Sequence, residues 1–528
     1  MTRRFAVYNG NIHTLNPDAP NAQAVGMLNG RIVAIGTNDE VRAAMGSSEG
    51  LDLGGRTAVP GLIDAHVHFL SLSLALARVP LQGVKSIGEA VARVAARARE
   101  TPDTGRWITG GGWNYNFLGD NRWPNRADLD RLVPDHPVAL SSHDHHSYWV
   151  NSKALQLAGI TRETPDPVDG VIQRDADGEP TGMLLEGAMR FLREAMPQPT
   201  EEQNEAALVE GMREANRLGL TGVQSMENPQ AFSALQRVRA KQGMTLRLLE
   251  SIPMDQLDHA IALGIRSGYG DEWLRLGQQK IFADGTVGSR TALMLEPYES
   301  EPQNFGIALT PREVIRDQVR RAAAAGIAST CHCIGDAANR MLLDIFEEAK
   351  RDGLGAGLRH RIEHSQLLTH QDIWRFVELG VIPSMQPIHC TSDMFGIDRW
   401  WGERGRYAYV FETLRRSGAV LAFGSDAPVD NLSPIAGIHA AVTRQNADGE
   451  PEQSWYPDEC LDPYDALYAY TWGASYASGE EGIKGTIELG KLGDLTVLSQ
   501  DILAVPGREI LNTDIFATIV DGRVVYGG

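Results

Sequence analysis

Val59-Pro60-Gly61-Leu62-Ile63-Asp64-Ala65-His66-Val67-His68 is the stretch on which the fold turns. Pro60-Gly61 interrupts whatever precedes it. Residues 62–68 are apolar and partly β-branched, the pattern of a buried strand. Side chains two apart in a strand point to one face, so His66 and His68 project together from its C-terminal end. Two neutral imidazoles so placed can share a metal ion, although a bare H-x-H more often belongs to an ordinary strand.

The chain downstream raises the weight of the metal reading. Strand-like runs recur at 221–225, 246–251, 274–282, 327–332, 360–364, 381–386 and 420–425. Helical stretches such as 311–325, 337–351 and 370–379 separate most of them. With 62–68 the strands number eight, as a (β/α)8 TIM barrel requires. A doubly wound open sheet is the rival. It is disfavoured because no G-x-G-x-x-G follows an early strand.

Both flanks read as β structure. Residues 1–60 hold strands at 5–8, 24–28, 31–35 and 57–59, with Asn29-Gly30 as a hairpin turn. Residues 485–498 and 517–520 match them, the latter turning through Asp521-Gly522 into 523–526. The predicted organisation is therefore a composite β-sandwich from 1–60 and 481–528 around a barrel domain over 61–480. Between the first and second barrel strands lie roughly 140 residues, too many for a connecting loop. They predict an inserted subdomain over 70–215 that caps the barrel and meets the substrate. It carries a helix at 86–100 opened by a Ser86/Glu89 capping box, strands at 107–110 and 138–141, and a helix at 200–218 closed by Gly219.

Composition narrows the function. The 528 residues are 42% hydrophobic and 22% charged, as in a globular protein, and carry a net charge of −19. That charge argues against nucleic acid or an anionic membrane as the partner, and no apolar run is long enough to span a bilayer. The expected partner is a small-molecule substrate. The one protein partner considered is a second copy of the chain, in a homodimer. Four cysteines form no disulfide framework, so a cytoplasmic location is expected. In Cys331-His332-Cys333 the cysteines face away from His332 and read as core residues.

Ligand-type side chains recur where the barrel strands end. His66 and His68 close the first strand, Lys280 lies near the end of the fourth, His332 ends the fifth, His364 ends the sixth, and Asp426 follows the eighth. In a barrel these ends converge on one mouth. Four imidazoles and a carboxylate suit Zn²⁺ or a similar borderline ion.

The stretches VPGLIDAHVH, QKIFADGTVGSRTALM, HCIGDAANR, RIEHSQ, SMQPIH, AFGSDAPV and GTIELGKLGDLTVL follow in order from residue 59 to 498. Together they resemble the amidohydrolase superfamily in its amidohydrolase-3, YtcJ-like branch, which includes N-substituted formamide deformylases. The resemblance implies a composite sandwich, a metal-binding barrel and a large insertion. It implies one or two Zn²⁺, or another divalent transition metal, with His66, His68 and Asp426 on one ion and His332 and His364 on the other. Lys280 corresponds to a lysine that CO2 converts to a bridging carbamate. The alternative to that ligand role is an ordinary cation paired with Asp284 or Glu186. A lysine attacks CO2 only when neutral, and desolvation lowers its pKa.

The implied activity is metal-dependent hydrolysis of a C–N bond in an N-substituted formamide, N-acyl amine or carbamate. Asp426 would accept the proton of the attacking water and deliver it to the leaving nitrogen. Esterase, phosphotriesterase or cyclic-amide hydrolase activity on the same site is the alternative, followed by a metal-dependent isomerase or decarboxylase. A non-catalytic regulatory relative is disfavoured by the complete ligand set. The motifs Gly110-Gly111-Gly112-Trp113-Asn114 and Ser142 to Ser152 resemble family segments beside the substrate. They make Trp113 and His146 candidate substrate contacts, with a structural role, or a separate metal site at His143, His145 and His146, as competing readings. His389 could donate to the substrate carbonyl or simply pack. Arg290 could bind a substrate carboxylate or pair with an acidic neighbour. Trp113, Tyr115, Phe117, Trp123, Tyr148 and Trp149 suit an aromatic substrate group or the insertion's own core.

Overall fold

The computed structural model describes residues 3–46, 49–115, 118–120, 122–142 and 146–528. Eight parallel strands form its central sheet: β1 (Leu62–Val67), β2 (Leu220–Ser225), β3 (Arg247–Pro253), β4 (Leu274–Phe282), β5 (Ser329–Cys333), β6 (Arg361–His364), β7 (Ile382–Met385) and β8 (Ala422–Phe423). They neighbour one another in chain order from β1 to β8. Most of their residues are buried on both faces, as helices packed outside a parallel sheet require. The helix Asp336–Arg351 after β5 shows why these segments coil. It buries Ala338, Leu342, Leu343, Ile345, Phe346 and Ala349 on one face. Its acidic Asp336 and basic Lys350 and Arg351 sit at the ends that the helix dipole favours.

The sheet closes through β1 and β8. Asp426 N–H donates to the His66 carbonyl at 2.7 Å, and His68 N–H donates to the Ala427 carbonyl at 2.9 Å. Asp64 accepts from the amides of His66 (2.9 Å) and Ser425 (3.1 Å). Gly424 makes this approach possible, because a Cβ there would lie 2.4 Å from His66 N and 2.6 Å from Asp64 Oδ1. The strand expected over 420–425 is consequently short. Gly424 N–H still donates to the Met385 carbonyl of β7 at 3.1 Å, whereas the Ser425 amide turns to Asp64 of β1.

The chain ends build two further sheets. One has four strands, with Arg4–Tyr8 between Ala24–Leu28 and Glu49–Asp52, and Arg31–Gly36 at its edge. The other has six and is drawn from both termini, Thr57–Pro60 pairing antiparallel with Leu495–Leu498. Val7, Val25 and Ile32 of the first share a buried cluster with Ala58, Val497 and Ile519 of the second.

Contacts divide the chain into two compact units, 1–73 with 208–528, and 74–207. The second unit is built on its own six-stranded sheet, ordered Gly170–Arg174, Pro180–Glu186, Ser147–Val150, Val138–Ser142, Ile108–Trp113, Val79–Pro80. Its helix Ile87–Arg99 begins with the Ser86 hydroxyl accepting from Glu89 N–H. The reciprocal half of the expected capping box is diverted, since the Glu89 carboxylate takes the Lys85 amide at 3.0 Å instead. Among the described residues no helix is long and apolar enough to cross a membrane.

Candidate metal centre

The strand ends bring His66, His68, Lys280, His332, His364, His389 and Asp426 together. Asp426 Oδ1 is 3.4 Å from His66 Nε2 and 3.3 Å from His68 Nε2. Lys280 Nζ is 3.5 Å from His66 Nε2. The His364 ring centroid is 5.2 Å from that of His66 and 4.5 Å from that of His332. His389 stands in the first turn of the helix Pro387–Trp401 after β7, its Nε2 3.9 Å from Asp426 Oδ2.

Two of these residues reach the centre through unusual backbone. Cys333 and His364 are register partners on β5 and β6, and Cys333 lies on the face opposite His332. Regular alternation would therefore turn His364 away from the mouth. Its φ of 71° swings it back, and Asp426 has φ 57°. A non-glycine residue held in the left-handed region costs about 1–3 kcal/mol, which the surrounding bonds must offset.

Hydrogen bonds set the tautomers. His66 Nδ1–H donates to Glu363 Oε2 (2.5 Å), His364 Nδ1–H to Gln386 Oε1 (2.7 Å), and His332 Nε2–H to the Gly285 carbonyl (3.1 Å). Each acceptor is an oxygen, so the facing nitrogen carries the proton and the other ring nitrogen keeps a lone pair. Glu363 is held in turn by Arg361 Nε at 2.7 Å and by the Thr330 hydroxyl. Arg361 also reaches the Ala65 carbonyl (2.6 Å), Ser384 Oγ (2.8 Å) and Gln224. Five strands thus contribute to one buried polar layer beneath His66.

Burial and the Lys280 charge drive His66 and His332 down to about 4, and burial holds His364 well below its usual range, so all three rings are neutral. Burial also lowers Lys280, against the pull of Glu363 and Asp426. Burial raises the Asp426 carboxyl, but the neighbouring histidines outweigh it and keep the group ionised. Neutral imidazoles around an ionised carboxylate are the ligand state that a divalent transition ion needs. Asp426 Oδ1 and His389 Nε2 are buried with no hydrogen-bond partner among the described residues. Burying such atoms without a partner is costly, and a cation between them would supply one. The donor set fits a borderline metal.

The remaining candidates fall elsewhere. Trp113 is 1% exposed in the core of the inserted unit, gives its indole N–H to the Leu140 carbonyl at 3.0 Å, and packs edge-on against Trp123 and Trp149. It is a core residue with no face left for substrate, contrary to the expectation for it. Tyr115 stacks on Trp123 at 4.5 Å, so these aromatics serve the insertion's own packing. His146 is exposed, with Nδ1 3.0 Å from Glu186 Oε2. Phe117 and the His143-Asp144-His145 stretch lie outside the described residues. Arg290 forms an ion pair with Glu301, the plainer of its two readings. Asp284 is no partner for Lys280, since its oxygens take the amides of Leu293 (2.8 Å), Ile334 (3.0 Å) and Gly335 (2.8 Å). Sequence reasoning missed Glu363 and Arg361. The signal was two charged residues spaced two apart in a strand otherwise destined for the barrel interior.

Fold and centre together define the class, a (β/α)8 barrel of the metal-dependent hydrolase kind. The amidohydrolase family profile matches residues 49–526, and the chain belongs to that family. It is 31% identical to the Bacillus subtilis protein YtcJ, over 98% of each chain. It is 30% identical to the N-substituted formamide deformylase of Arthrobacter pascens, over 99% of this chain and 98% of that one. Among solved structures, an uncharacterized metal-dependent hydrolase from Pyrococcus furiosus superposes with a TM-score of 0.79 at 29% identity, covering 95% of this chain and 100% of the other.

Proposed function

We propose that this protein hydrolyses the C–N bond of a small amide-like molecule, an N-substituted formamide, N-acyl amine or carbamate. The observation that carries the reading is Asp426: a buried, ionised carboxylate with an unpartnered oxygen 3.3–3.4 Å from two imidazole nitrogens. The deformylase relative favours the C–N bond over an ester.

His66, His68 and Asp426 would hold a divalent ion, with Lys280, His332 and His364 lining the other side. Such an ion, zinc in the first instance, acidifies water and draws electrons from a carbonyl oxygen. Asp426 accepts the proton of the attacking water and returns it to the leaving nitrogen. Burial favours the neutral amine of Lys280, the form that combines with CO2, and the resulting carbamate would add an anionic ligand. The two terminal sheets are read as a composite sandwich supporting the barrel. The inserted unit, which follows His68 closely in the chain, is read as the source of substrate preference, with His146 its candidate contact. The substrate is met in the cytoplasm, a reading supported by four unpaired cysteines.

The test is a panel of N-formyl amines, N-acyl amines, carbamates and esters, run with metal content measured and in 18O water. Turnover of an amide that stops on chelation and returns with zinc, with 18O in the acid product, is the expected result. Full activity after exhaustive chelation, or turnover of esters alone, would overturn it.

A further inference from the structure

The aromatic residues of the inserted unit are spent on its own packing, but an aromatic ring of the barrel stands at the metal centre. Phe282 ends β4 two residues after Lys280, so both side chains project from the same face of the strand. It is the register partner of His332 on the neighbouring parallel strand. Its ring centroid lies 5.6 Å from that of His332, and Lys280 Nζ lies 4.8 Å from it. The flanking Ile281 and Ala283 are fully buried, whereas Phe282 is 43% exposed. The backbone beside it is anchored: Ala283 N–H donates to the His332 carbonyl at 3.0 Å, and Leu309 N–H donates to the Ala283 carbonyl at 2.9 Å. An exposed apolar side chain by itself means little. A firmly held ring that lies against two residues of the centre and still meets solvent is different. It offers apolar area within reach of any molecule bound there.

We propose that Phe282 is a specificity residue of this centre, and that its ring receives a flat apolar group, aryl in the first instance, carried by the substrate on one side of the scissile C–N bond. Aromatic rings pack offset or edge-on with centroids about 4.5–7 Å apart. His332 stands at that same distance from Phe282, so an aryl group on Phe282 leaves an amide a bond or two away beside the ligand side chains. The Phe282 side chain has no hydrogen-bonding group. Binding there grows with the apolar area covered, whereas a charged substituent would lose its water without compensation. Part of the substrate preference then belongs to the barrel itself, beside whatever the inserted unit contributes. The inference rests on the proposed C–N hydrolysis and adds to it the chemical class of the substituent.

The test compares kcat/KM within two pairs of amides, using the zinc-loaded full chain. N-Methylformamide and N-phenethylformamide differ on the amine side; N-methylacetamide and N-methylphenylacetamide differ on the acyl side. Wild type is expected to favour the phenyl member of one pair, which also shows the side of the bond that Phe282 meets. In Phe282→Ala that preference is expected to shrink at least about tenfold, through KM rather than kcat, with bound zinc and the methyl member unchanged. Equal losses on both members, or lost zinc, would make Phe282 a support for His332 and overturn the assignment. A wild type indifferent to the phenyl group overturns it while leaving amide hydrolysis standing. If the alanine variant misfolds by circular dichroism, Phe282→Trp decides, because the larger ring is expected to crowd the phenyl member alone; an unchanged preference overturns the assignment. If no amide turns over, the functional reading falls separately, and calorimetric binding of phenylacetate and phenethylamine decides the role of Phe282. Binding by wild type that the alanine variant loses supports the assignment; equal binding, or none, overturns it.

Discussion

The Glu363 carboxylate lies 2.5 Å from Nδ1 of His66, and both side chains are fully buried. The contact fixes the proton on Nδ1 and points the Nε2 lone pair at Asp426 and Lys280. Arg361 neutralises Glu363 from below, so the ring is oriented by a carboxylate that is itself paired. Burial works against the ionised Glu363, but the Arg361 charge and the hydrogen bond from His66 hold it well below its usual range.

Glu363→Gln removes the charge while keeping the shape. Metal affinity is expected to fall about 10–100-fold, the usual effect of losing a carboxylate behind a ligating histidine. Arg361 is left as a buried charge without its partner, at a cost of about 3–5 kcal/mol. Chelator-competition titration and thermal melting measure the two effects. Unchanged values for both would show that the contact orients nothing.

Asp426→Asn keeps one oxygen and the volume but removes the base. The expected variant folds, retains metal on the remaining ligands and loses about 10²–10⁴-fold in kcat. If excess zinc restores turnover, Asp426 only holds metal and does not shuttle the proton.

His360 gives an acid-lability that can be read by subtraction. Its Nδ1 accepts from Ser329 N–H at 3.1 Å, and burial lowers its pKa from 6.5 to about 4. Between those values the unfolded chain binds a proton that the folded chain refuses, so stability rises with pH across the window and is lost on acidification. At about 1.4 kcal/mol per pH unit the total is about 3 kcal/mol. Urea melts of wild type and His360→Gln at several pH values from 4 to 7 should show the variant's pH slope shallower by one proton. Parallel slopes would exclude His360 as a titrating group.

Gly424→Ala places a Cβ 2.4 Å from His66 N. The overpacking is expected to cost about 1–3 kcal/mol and to push β8 off β1, displacing Asp426. A lowered Tm with weakened metal binding is the signature. A variant with wild-type Tm would mean that the closure tolerates the methyl group.

Much of the barrel was legible in the chain, because buried parallel strands are short apolar runs and Pro, Gly and polar residues mark their ends. The predicted 274–282 run coincides with β4, and the other strands fall within a few residues of their places. The exception, β8, was shortened by bonds to β1, a partner more than 350 residues away that no local pattern encodes. The H-x-H pair and the ligand-type residues at later strand ends were also readable, since metal ligands come from few residue types and the barrel sends its strand ends to one mouth.

What the sequence determined by itself was therefore the architecture, the family and the ligand-type residues at most strand ends, all properties of local periodicity and ordered motifs. Only the tertiary structure decided which nitrogen each histidine offers, because Glu363, Gln386 and Gly285 reach the rings through space. It also turned His364 inward against strand alternation, consigned Trp113 to a core, and set His389 beside Asp426 Oδ2. Side-chain direction and proton placement depend on contacts between distant segments, and those exist only once the barrel has closed.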